Sequence, residues 1–140
     1  MTRINLVEPG ELCDQHLFAE WRELTRIPNS ILSGRLYLDN IPTKYTVRTN
    51  DNPAGGKGHV KFFIDKLAFL FNRYNKLLEE LSKRGMPQKN YWPKDKKFDI
   101  ILWKDYNPTT EALNLNRKRI NERMPKTPRF YGEKYDSNSI

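Results

Sequence analysis

Thr2 is a small residue directly behind Met1, the setting in which an initiator methionine is normally trimmed. Trimming would give Thr2 a free α-amine with a pKa of ~7.7–8, against ~10.4 for a lysine side chain. At pH 7 roughly a tenth of such an amine is uncharged, whereas an ordinary lysine is neutral in fewer than about one molecule in a thousand. A neutral amine is what Schiff-base chemistry on a sugar carbon requires. Many chains begin Met-Thr and do no such chemistry, so Thr2 alone does not decide the matter. A second group of reactive side chains lies between positions 14 and 26. Spaced ~100° apart around a helix axis, His16, Glu20 and Glu23 share one face, with Arg22 and Arg26 beside them one turn apart. That mixture suits an active site or a solvated face laced with i,i+3 and i,i+4 ion pairs.

Other chemistries lack their residues. No hydrolase-type nucleophile motif is present, and Gly55-Gly56-Lys57-Gly58 has neither the preceding strand nor the Lys-Ser/Thr signature of a phosphate loop. It reads as a flexible turn. Two histidines and one cysteine at scattered spacings argue against a metal site. The single cysteine, Cys13, cannot form an internal disulfide and reads as a small buried filler in a reducing compartment.

Three helical segments must position the reactive groups. The first starts near Asp14, read as its N-cap, and runs to Leu24 with Leu17, Phe18, Trp21 and Leu24 on its apolar face. The second spans about His59 to Arg84. Phe63, Leu67, Leu70, Tyr74, Leu77 and Leu81 recur every three or four residues, Gly85 supplies a left-handed stop and Pro87 prevents continuation. Such a helix is the central core element. The third follows Asn107, with Pro108 near its first position, and turns Leu113, Ile120 and Met124 inward. Between the first two helices, Pro28, Gly34, Pro42, Pro53 and the glycines at 55, 56 and 58 predict loops with at most short extended pieces such as Tyr45-Thr46-Val47. Residues 86–107 read as irregular, and the segment from Pro125 to Gly132 as extended or turned.

At 140 residues the chain fits one domain, 1–140, ending in a polar tail at about 136–140. Twenty-five basic residues against seventeen acidic give a net charge of +8, and the pI is near 9.6. Such a surface favours a polyanion, because each Lys or Arg placed on a phosphate releases condensed counterions. A membrane partner is not expected: the longest apolar run, Phe98 to Trp103, is interrupted by Asp99 and far too short to span a bilayer. The N-terminus lacks a secretory apolar stretch, so a cytoplasmic protein is expected, bacterial or viral in a host cell.

The opening Met1-Thr2-Arg3-Ile4-Asn5-Leu6, then Glu11-Leu12-Cys13-Asp14-Gln15-His16-Leu17 and Ala19-Glu20-Trp21-Arg22-Glu23-Leu24, resembles the pyrimidine-dimer DNA glycosylase family, of the bacteriophage endonuclease V type. A second block from Gly58 to Leu70 is similar too, as is Lys83-Arg84-Gly85; Asp105-Tyr106-Asn107-Pro108 and Arg129-Phe130-Tyr131-Gly132 agree more loosely. The resemblance implies a single compact all-α domain of three main helices with long irregular loops, with no metal and no organic cofactor. It implies a DNA-repair glycosylase with coupled abasic-site (AP) lyase activity on UV-induced cyclobutane pyrimidine dimers. The α-amine of Thr2 would attack C1′ of the dimer's 5′ nucleotide, the base would leave as an imine forms, and β-elimination would cut the strand. The essential carboxylate falls on Glu23, while Arg3, Gln15, His16, Arg22, Arg26 and Arg117 match positions that hold DNA. The partner would be double-stranded DNA carrying dimers or abasic sites, bound by a monomer.

A terminus folded over the face of His16 and Glu23 would meet a carboxylate able to stabilise an oxocarbenium-like sugar and take its 2′ proton. The same carboxylate raises the amine's pKa, which Arg3, Arg22 and Arg26 could offset. Departures from the family pattern lie elsewhere. The loop from Arg48 to Lys57 is longer, the aromatic-rich C-terminal segment is reduced to Phe130, Tyr131 and Tyr135, and a basic position one turn after Arg117 falls on Asn121, with Lys118 or Arg119 as replacements. Two alternatives stay open: a lyase acting only on abasic sites, and a non-catalytic module that binds kinked or damaged DNA.

Overall fold

The computed structural model describes residues 3–86, 89–93 and 98–131. Thr2, Pro87, Tyr135 and the tail at 136–140 lie outside the described residues. Among the described residues the chain is helical and holds no strand, only isolated bridges between Thr49 and Asn52 and between Lys66 and Trp103. Three main helices carry it: α1 (Asp14–Leu24), α4 (Leu67–Lys83) and α5 (Thr110–Glu122), with the shorter α2 (Arg26–Leu32) and α3 (His59–Phe62) between the first two. Single 3-10 turns lie at Pro9–Glu11 and Ile100–Leu102. No described helix is long and apolar enough to cross a membrane.

The core forms where α1 packs on α4. Leu17, Trp21 and Leu24 of α1 and Leu67, Leu70, Tyr74, Leu77 and Leu81 of α4 are all buried, as spacings of three and four residues require of one apolar stripe. Trp21 stacks on Tyr74 with ring centroids 4.9 Å apart. Arg84, Gly85 and Met86 close α4 as expected: Gly85 takes φ +70°, its N–H donates to Ser82 O, and the Met86 N–H donates to Leu81 O.

The helix expected from His59 to Arg84 is divided in two. Phe62, Phe63 and Ile64 are consecutive and all buried, which a turn allows and a continuous surface helix does not. The backbone released by the turn pairs outside the helix: the Lys104 N–H donates to Asp65 O, and the Phe69 N–H donates to Lys104 O. Lys66 Nζ donates to Phe62 O at 2.8 Å and sits 3.8 Å from the Phe62 ring centroid, closing α3.

Smaller corrections have local causes. Asp14 lies in the first turn of α1 and is not the cap; Cys13 takes the cap position without a side-chain bond. The Asp14 carboxylate is buried, accepting from Arg84 Nη1 at 2.9 Å and from the Tyr131 N–H at 3.0 Å. α2 forms where Pro28 pointed to a loop. Pro28 falls in its first turn, where a missing N–H costs nothing, so it does not break the helix. Thr109, one residue past Pro108, caps α5 by accepting from the Ala112 N–H at 3.0 Å. Met124 lies beyond α5 and is exposed; Ala112 and Asn116 are the buried residues of that helix. Tyr45 and Val47 are buried without forming a strand.

Candidate active site

Residues 3–7 pass between α1, α4 and α5 with no strand to pair with, so their buried backbone groups must find side chains. The Arg3 N–H donates to Glu23 Oε2 at 3.2 Å. The Ile4 N–H donates to His59 Nε2 at 2.8 Å, and Ile4 O accepts from the Tyr45 hydroxyl at 3.0 Å. One oxygen, Asn116 Oδ1, accepts from both Leu6 N–H (2.7 Å) and Val7 N–H (3.1 Å). Arg73 closes the series by donating to Val7 O. Four helices and one loop thereby hold five residues of chain.

Each holding group is fixed in turn. His59 accepts through Nε2, so its hydrogen is on Nδ1, which donates to Thr46 O at 2.7 Å. Burial depresses the His59 pKa to about 4; the Thr46 bond opposes this, and Arg3 and Arg119 add to it. Burial and the charge of Glu20 push the Tyr45 phenol far up, so it stays a donor. Asn116 Nδ2 donates to Asn5 Oδ1, and Asn5 Nδ2 donates to Glu20 Oε1, both at 2.9 Å. Glu20 is therefore not on a solvated face with His16 and Glu23. The N-terminal segment covers it, and Arg73 meets it with Nε–Oε2 at 2.8 Å and Nη2–Oε1 at 3.0 Å.

Where this segment meets α1, a cavity of about 220 Å³ opens, lined by Arg3, His16, Ala19, Glu23, Val47, Arg119 and Arg123 among others. Positions 16, 19 and 23 share the polar side of α1, and 119 and 123 lie one turn apart at the end of α5. His16 Nε2 donates to Arg123 O at 3.0 Å, which makes Nδ1 the acceptor of the neutral ring; Nδ1 is buried and has no partner among the described residues. Charge here is unbalanced. Burial lowers the Arg3 pKa; Glu23 opposes the shift, while Arg123 and Arg48 reinforce it. Burial and repulsion from Arg3, Arg123 and Arg48 lower that of Arg119. Glu23 is the one carboxylate lining the cavity, against the guanidiniums of Arg3, Arg119 and Arg123, and the balance suits a polyanion. A larger cavity of about 490 Å³, beside Asn72, Asn75, Lys76 and Asp105, lacks such a cluster, and its Arg73 is committed to Glu20.

The side chains expected at the site do not all meet there. Arg3, His16 and Glu23 line the cavity, and Arg26 lies at its edge, 3.8 Å from Glu23 Oε1. Arg22 projects elsewhere, 5.4 Å from the Phe18 ring centroid, into a hollow shared with Trp21, Lys89 and Asn90. Gln15 ties α1 to the C-terminal segment, donating to Thr127 O (2.8 Å) and accepting from the Arg129 N–H (3.1 Å). Arg117 makes a two-pronged pair with Glu11 at 3.1 and 3.0 Å and does not line the cavity. Arg119 and Arg123 do. Their i,i+4 spacing was a visible signal for a basic helix face. Nothing local signalled His59, Tyr45 or Asn116, because each acts on a segment at least 41 positions away.

The loop after Val47 is docked on α5: the Asn50 N–H donates to Glu122 Oε1 at 2.8 Å, Asp51 pairs with Lys118, and Arg119 Nη1 donates to Arg48 O at 2.8 Å. Arg48 is thereby carried to the basic side of the cavity. The family model for pyrimidine dimer DNA glycosylase matches residues 1–94, about two thirds of the sequence. The match takes in the N-terminal segment, α1, Glu23, His59 and the core helix α4, and stops short of α5. By that match the chain belongs to the pyrimidine dimer DNA glycosylase family.

Proposed function

We propose that this protein removes the base at UV-induced cyclobutane pyrimidine dimers in double-stranded DNA and then cuts the abasic site, using the α-amine of Thr2 after Met1 is trimmed. The observation that carries the reading is the 3.2 Å bond from the Arg3 N–H to Glu23 Oε2, one peptide link from that amine. In the first step the neutral amine bonds to C1′ as the glycosidic C1′–N bond breaks, and the base leaves with a proton. Opening of the sugar ring gives an imine. Loss of a proton from C2′ then expels the 3′ phosphate by breaking C3′–O, and water later releases the sugar remnant from Thr2. Glu23 is the group to stabilise the positive sugar and accept the C2′ proton. Arg3, Arg119, Arg123 and Arg48 would hold phosphates and offset the rise that Glu23 imposes on the amine's pKa.

A second reading, lyase action on abasic sites alone, draws support from the C-terminal aromatics. Phe130 and Tyr131 cover Arg84, whose guanidinium carbon lies 5.9 and 4.8 Å from their ring centroids, and Arg84 is paired with Asp14 and Glu80. Contact with Arg84 restricts how these rings could turn to grip a dimer, although Tyr131 stays 39% exposed. Borohydride trapping on dimer-containing and abasic duplexes separates the readings. A covalent adduct on both supports the full reaction, an adduct on abasic DNA alone leaves the lyase, and DNA binding without an adduct on either refutes catalysis by the amine.

A further inference from the structure

The reach of an amine at position 2 depends on where the chain behind it is last held firmly. The Arg3 N–H donates to Glu23 Oε2 at 3.2 Å, at the edge of the cavity. Ile4 is the next residue, and both of its backbone polar groups are fixed: its N–H by His59 Nε2 at 2.8 Å, its carbonyl by the Tyr45 hydroxyl at 3.0 Å. The two rings belong to different parts of the chain and meet edge to face, with centroids 5.3 Å apart. Thr46 O orients His59 from behind at 2.7 Å. His59 and Tyr45 are 1% and 5% exposed, and neither lines the cavity that holds Glu23, so neither is placed to touch DNA.

We propose that His59 and Tyr45 are positioning residues for the reaction: by holding both backbone groups of Ile4, they fix the point from which two residues extend the terminal amine to the sugar beside Glu23. The inference rests on the amine reading given above. Two residues span at most ~7 Å, so a modest rotation at Ile4 moves the amine by an ångström or more. Misplacement of about 1 Å is enough to cost on the order of 100-fold in rate. The Ile4 side chain is wholly buried, so loss of one backbone bond leaves the segment seated while releasing its orientation. Arg119 lies in α5 and Arg123 caps its C-terminus, outside the segments that carry His59 and Tyr45, so DNA affinity is not expected to follow the rate.

The test is single-turnover borohydride trapping on an abasic duplex at saturating enzyme, with dissociation constants measured in parallel. Tyr45→Phe deletes one oxygen and keeps the ring contacts with Phe62 and Phe63. It should trap about tenfold more slowly, with affinity within about twofold of wild type. His59→Leu should do the same, and His59→Gln, which returns an acceptor to the Ile4 N–H, should recover most of the rate. A folded Tyr45→Phe protein that traps at the wild-type rate overturns the inference, as does a loss that appears only in affinity. Absence of any wild-type adduct overturns the amine reading and this inference together, whereas equal rates in wild type and variants overturn the inference alone.

Discussion

In the proposed reaction Glu23 would stabilise a positive sugar but also raise the pKa of the amine beside it, so its net benefit would depend on the cations around it. Arg3 and Arg123 line the same cavity, and Arg26 approaches to 3.8 Å, which limits how far Glu23 can stabilise a protonated amine. Glu23→Gln keeps a carbonyl oxygen for the Arg3 N–H while removing the charge. Folding and DNA affinity should be retained while cleavage falls by about 10²-fold or more, read from single-turnover strand scission. His59 makes a separate prediction. Its pKa is depressed from 6.5 to about 4 in the fold, so its contribution to stability is full above pH 6.5 and is lost as pH falls toward 4. The loss amounts to about 3 kcal/mol at the acid end. Urea titrations between pH 7 and 4 should show this decline in wild type, superimposed on carboxylate effects, and a shallower one in His59→Gln.

At the level of elements, the long apolar stripe and its stop are legible in local sequence, whereas the break before Leu67, the short helix across Pro28 and the cap at Cys13 are not. The stripe from Leu67 to Leu81 and the stop at Gly85 depend on residues within a few positions of one another, and both appear as expected. The break before Leu67 depends on Trp103 and Lys104, more than thirty positions downstream, so periodicity alone could not show it. Pro28 signalled a loop, yet the first turn of a helix tolerates proline. At the site, the face of His16 and Glu23 was legible from helical spacing, whereas the burial of Glu20 required knowing that residues 3–7 lie over it. Asn116 in α5 looked like an ordinary polar position, although its side chain anchors that segment. α5 itself depends on its cap, and Thr109→Ala should cost about 1 kcal/mol in thermal or chemical unfolding.

For the whole molecule, a net charge of +8 gives sequence-independent attraction to DNA, and the fold decides where that charge is free to act. Arg119 and Arg123 line the cavity and make no ion pair among the described residues, while Arg117 is engaged by Glu11. Arg119→Ala and Arg123→Ala should each flatten the slope of log affinity against log salt by about 0.9, one phosphate's worth. Arg117→Ala should change it little. Fluorescence anisotropy over a salt series checks all three, and a full-sized effect at Arg117 with none at Arg119 would reverse the assignment of the DNA-facing side of α5.

In the proposed reaction the bond to the sugar forms at the backbone nitrogen of residue 2. Its most direct test is to reduce the wild-type protein onto an abasic duplex with borohydride, digest the adduct and locate the sugar remnant by peptide mass spectrometry. A remnant on the α-nitrogen of Thr2, in a chain that has lost Met1, is the expected result. A remnant on a lysine side chain, or a chain still carrying Met1 that forms the adduct equally well, would contradict it.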